Sequence, residues 1–92
     1  MKKAARVIVN GTVQGVFFRQ FCKENADKLG LTGFVRNLTG GDVELVLEGE
    51  GGAIENIIAM VKKGPEHSMI KSVQVEERKW EGNLKGFKVL RF

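Results

Sequence analysis

The sequence predicts an α+β sandwich, two helices packed on one face of an antiparallel sheet. Three observations carry that expectation. Apolar and polar residues alternate over several short runs, the period of half-buried strands. Two other runs place apolar residues at helical spacing, with charges on the opposite side. Glycines fall at the boundaries between runs, and no linker, repeat or low-complexity stretch intervenes.

Taken in order, Val7, Val9 and Val13 mark a first strand over 5–13, with Ile8 breaking the alternation. Phe18, Phe21, Cys22, Ala26 and Leu29 recur at helical spacing over 19–29, and Gly30 supplies a stop. A second strand over 31–38 turns through Thr39-Gly40-Gly41-Asp42, a hairpin composition. Val43, Leu45 and Leu47 continue as a third strand, whose other face, with Glu44 and Glu48, is expected to meet solvent. After a loop over 49–52, Ile54, Ile57, Ile58 and Val61 mark a second helix closed by Gly64-Pro65. Val73 and Val75 alternate within a strand over 70–77, and 87–92 makes a short last strand. The order βαββαβ plus a terminal strand is the ferredoxin-like, split-βαβ sandwich, and it fills residues 1–92 as one domain. That fold hosts many functions, so chemistry must come from particular residues.

Bulk composition narrows the field. A net charge of +4 favours anions, but the 15 lysines and arginines are scattered and form no nucleic-acid stripe. A single cysteine, Cys22, cannot close an internal disulfide, which fits a reducing compartment. Met1-Lys2-Lys3 is followed by Arg6 and Asn10 rather than a long apolar run. Neither a leader nor a membrane span is therefore expected, and the cytoplasm is the expected location.

The informative segment is Gly11-Thr-Val-Gln-Gly-Val-Phe-Phe-Arg19. A strand feeding a glycine-punctuated turn at a helix N-terminus aims backbone N–H groups at one spot, where the helix dipole favours an anion. First turns ordinarily prefer acidic residues, so a cation at Arg19 points to an anion from another molecule. Its planar fork matches two oxygens of a phosphate or carboxylate. Asn37, near the end of a strand, can hold a water and direct a lone pair. It can equally tidy the approach to the hairpin. Arg36 beside it reads as a solvent-facing strand residue or as a minor contributor to anion attraction.

The usual catalytic sets are missing. His67 is the only histidine and falls in a loop, and no histidine–cysteine cluster has metal-ligand spacing. Cys22 lies on the apolar stripe of the first helix and reads as core. Ser68 and Ser72 have no evident base. What survives is an anion cradle, an arginine and an asparagine, equipment for positioning and electrostatic stabilisation of an already activated substrate. No metal or other cofactor is called for.

At this point the chain resembles the acylphosphatase family. The matching pieces are Gly11-x-Val13-Gln14-Gly15-Val16-x-Phe18-Arg19 and Leu29-Gly30-Leu31-x-Gly33-x-Val35-x-Asn37. Val43-Glu44, Gly49, Gly64-Pro65 and Gly86-Phe87 follow in the family's order. The resemblance implies hydrolysis of the carboxyl-phosphate anhydride of acyl phosphates, giving carboxylate and inorganic phosphate. It further implies that Arg19 and the backbone N–H groups of Gly15, Val16, Phe17, Phe18 and Arg19 hold the phosphoryl group. Asn37 would then orient the attacking water, and a monomer would suffice. Gly40-Gly41, Phe34 and Ser68-Met69 depart from the family's commoner residues, in turns, a strand and a loop.

Two other classes compete. The strand–helix order also builds the RRM, and Lys85-Gly86-Phe87 echoes its aromatic signature, but this segment follows the second helix and Val89 takes the place of a stacking aromatic. A non-catalytic anion sensor would keep the Arg19 cradle and have no need of Asn37.

Overall fold

Alternating valines build β1 (Lys2–Thr12), whose Ala5, Val7 and Val9 face a core completed by Val43, Leu45 and Leu47 of β3 (Val43–Glu50). The computed structural model describes residues 1–12, 16–66 and 68–91, and only the backbone of Thr12 and Val16. Val13, Gln14, Gly15, His67 and Phe92 lie outside the described residues. The other elements are α1 (Val16–Lys28), β2 (Thr32–Asn37), α2 (Gly51–Lys63), β4 (Met69–Arg78) and β5 (Phe87–Val89).

The strands order as β4-β1-β3-β2-β5. Placing β3 between β1 and β2, and β1 between β3 and β4, gives two interleaved split-βαβ units. All pairs are antiparallel except β2 with β5, which is parallel, so the sheet is mixed rather than wholly antiparallel. Both helices cover one face, α1 over β2 and β5, and α2 over β1, β3 and β4. Phe18, Cys22 and Ala26 of α1 and Ile54, Ile57 and Val61 of α2 seal the core. Phe87 is buried there too, so the aromatic that echoed an RNA-stacking residue is a core anchor.

Two motif glycines have a steric explanation. A Cβ on Gly11 would lie 2.1 Å from the Met69 carbonyl oxygen, where β1 bulges against β4. A Cβ on Gly33 would lie 1.8 Å from the Val46 carbonyl oxygen, and both residues have positive φ.

The sequence expectations differ from the structure at several boundaries. The first helix starts at Val16, so Val16, Phe17 and Phe18 form its first turn with Arg19. No loop separates β3 from α2, since Glu50 ends the strand and Gly51 opens the helix. After Gly64-Pro65, the Ser68 hydroxyl donates to the Pro65 carbonyl at 2.6 Å and pins the turn.

The largest difference is on the face away from the helices. Glu44 and Glu48 are 4% and 6% exposed rather than solvated. The chain over 79–86 crosses this face, and the backbone N–H groups of Glu81 and Gly82 each donate to Glu48 at 3.2 Å. Glu44 lies between Arg6 and Arg36, each donating through Nε, so Arg36 is a bridging residue instead of a solvent-facing one. Burial alone would raise the Glu44 carboxyl. The hydrogen bonds and charges of Arg36 and Arg6 outweigh it and hold the group below the ordinary carboxylate range.

A folded carboxyl that titrates below its unfolded value stabilises the fold above the unfolded range. That contribution is lost as pH falls through the folded value. Glu44→Gln should destabilise the protein at neutral pH by on the order of 2 kcal/mol, the size of a hydrogen bond to a charged group. A larger figure is unwarranted because the two arginines are 30% and 35% exposed. Urea unfolding of the variant should also show a shallower loss of stability from about pH 5 to pH 3 than the wild type. Equal slopes would remove Glu44 from the acid response.

Candidate active site

The site assembles at the end of the sheet where β1 runs into α1 and β2 stops. Any α-helix opens with N–H groups that have no acceptor four residues back. In α1 these include the N–H groups of Val16, Phe17 and Phe18, and no acidic residue in the first turn competes for them. Phe18 fixes this turn to the sheet. Its side chain is buried and its ring lies 6.1 Å from that of Phe21.

Arg19, the fourth residue of α1, projects toward β5, where its Nη1 donates to the Leu90 carbonyl at 3.2 Å. Leu90 is itself held, since its N–H donates to the Val35 carbonyl at 2.9 Å. One turn on, Lys23 Nζ donates to the Phe87 carbonyl at 2.9 Å and pairs with Asp27. Two cations of α1 therefore grip successive parts of the β5 segment, and β5 in turn sets where the Arg19 guanidinium can sit.

Asn37 closes β2 opposite Val43 and is exposed. Strand alternation puts it on the same face as the buried Val35, the face that α1 covers. Arg19 and Asn37 thus line one cleft of about 240 Å³ with Leu90 and Arg91. Among the described lining residues two are cationic and none is acidic, a composition that favours an anion. Its volume is below the ~300–1,000 Å³ typical of drug-sized ligands, which suits an ion or a small charged group.

Of the residues singled out by sequence, the structure brings Arg19 and Asn37 together beside the opening turn that carries Val16, Phe17 and Phe18. Gly15 lies outside the described residues, as does His67. Cys22 is fully buried and its thiol is pushed up to about 12 by loss of solvation, so it is core and no nucleophile. Among the described residues, no three His, Cys, Asp or Glu side chains cluster as metal ligands do. Sequence reasoning missed Leu90 and Arg91. They became part of the site through the parallel β2–β5 pairing, and a strand of three residues gives no sequence signal of its partner.

A family model described as Acylphosphatase matches residues 5–89. An acylphosphatase of Rubrobacter xylanophilus is 47% identical over 87 residues, covering 95% of this chain and 79% of its own length. One of Aeropyrum pernix is 45% identical over 86 residues, with 92% and 85% covered. Among solved structures, an acylphosphatase from Bacillus subtilis superposes with a TM-score of 0.90 at 36% identity, covering 98% of this chain and 99% of that one. The motif residues, the fold and nearly the full length agree, and the chain belongs to the acylphosphatase family.

Proposed function

We propose that the protein hydrolyses acyl phosphates by holding the phosphoryl group between the opening turn of α1 and the Arg19 guanidinium while Asn37 orients the attacking water. The observation that carries this reading is the cleft that Arg19 and Asn37 both line, which brings a guanidinium and a side-chain amide into one cavity. The water oxygen bonds to phosphorus as the bond from phosphorus to the carboxylate oxygen breaks. The bonding pair leaves with the carboxylate, and the water's proton passes to a phosphate oxygen. A carboxylate leaves readily without protonation, so no side-chain acid is needed, and a loose transition state asks mainly for alignment and charge complementarity.

The rest of the reading is a single domain over 1–92 that acts as a cytoplasmic monomer and binds neither nucleic acid nor membrane. The scattered basic residues and the single cysteine support it, and no helix among the described residues is long and apolar enough to cross a membrane. Timed release of benzoate from benzoyl phosphate by the purified protein tests the activity. Release well above the uncatalysed rate is expected, and none above background would favour the anion sensor.

A further inference from the structure

Phe17 is the most exposed aromatic side chain among the described residues, at 86%, and it sits two residues from Arg19. Successive helical residues are about 100° apart, so residues 17 and 19 project about 200° apart around the axis. Burial agrees with that geometry. Phe18, between them, points into the core, Arg19 points to the β5 side, and Phe17 points to solvent on the other side. Side chains in a first turn also lean toward the helix N-terminus, which brings Phe17 to the edge of the anion-favouring end from the side away from Asn37.

Phosphoryl transfer runs with the attacking and leaving oxygens roughly in line. A water delivered from the Asn37 side forces the leaving carboxylate, and the acyl group attached to it, out on the opposite side. We infer that Phe17 is a specificity-determining residue. It offers its ring to the departing acyl group and favours acyl phosphates with aromatic or extended apolar acyl chains over the smallest ones. The inference rests on the proposed placement of phosphate and water, since it takes its direction from Asn37. An aromatic or apolar acyl group gains contact with the ring, whereas an acetyl group is too short to cover it.

The test is the ratio of kcat/KM for benzoyl phosphate to that for acetyl phosphate, a quantity in which any general change in the phosphate cradle cancels. In Phe17→Ala this ratio should fall about five-fold, the scale of a single aromatic contact. Phe17→Trp should restore it, and Phe17→Ser should match alanine. Loss of folding is no obstacle, because the side chain packs against little. Equal losses on both substrates, or an unchanged ratio, would overturn the role of Phe17 and leave the hydrolytic reading standing. A wild-type protein that turns over neither substrate would overturn both.

Discussion

Arg19→Ala is expected to lower kcat/KM for acyl phosphates by ~10²–10³-fold, the usual consequence of removing one preorganised donor to a developing anion. The substitution takes away the planar fork and the positive charge from the cleft. It also takes away the donor to Leu90, so part of its effect will come through β5. Two companion results separate these contributions. Arg19→Lys keeps a cation but not the two-pronged geometry, and it should recover little of the loss. Inorganic phosphate at ~100 times its dissociation constant should stabilise the wild type by about 2.7 kcal/mol, read as a rise in Tm. That rise should vanish in Arg19→Ala. An equal rise in both proteins would put the phosphate somewhere other than the Arg19 cleft.

The second large effect is expected at Asn37. Asn37→Ala should reduce kcat by ~10²-fold or more, as for loss of a donor that acts in the transition state. Phosphate affinity should stay within about two-fold of wild type, because the interaction is made with the nucleophile rather than with the bound anion. Asn37→Asp is nearly isosteric, but it loses the amide donors and sets a negative charge beside an anionic substrate, so it should be at least as damaging. If Asn37 only finishes β2, the alanine variant will be less stable and its folded fraction will turn over normally. Measuring kcat, phosphate affinity and Tm on the same preparations decides between the two.

The sequence revealed the fold most clearly where local period and tertiary environment agree. Phe18, Cys22 and Ala26 recur at helical spacing and are the residues of α1 that the core buries. The hairpin at Thr39 to Asp42 was legible because tight turns need positive φ, which Gly40 and Gly41 both adopt and which glycine reaches without strain. Glu44 and Glu48 were misread, because alternation shows that a strand has two faces but not what covers the second. Here a crossing segment and two arginines bury it. The α2 boundary was misread because Gly51-Gly52 has loop composition, although glycine is tolerated at a helix start when the strand runs straight into it.

For the site, Arg19 stood out because a cation in a first helical turn opposes the dipole, and the structure places it beside Asn37, 18 positions along the chain. Their meeting depends on β2 ending level with the start of α1, a tertiary fact with no local signature. The two family motifs taken together carried that information, since one ends on Arg19 and the other on Asn37. Leu90 and Arg91 lie beyond the two recognised motifs, and only the parallel pairing of β5 brings them in.

The central claim is that the cleft holds the phosphoryl group and delivers water to phosphorus. Hydrolysis of benzoyl phosphate in ¹⁸O-enriched water, followed by mass spectrometry of both products, tests it most directly. One solvent oxygen should appear in each phosphate and none in the benzoate. Solvent oxygen in the benzoate would mean attack at the carbonyl carbon, and it would contradict the assignment of Arg19 and Asn37 to the phosphoryl centre.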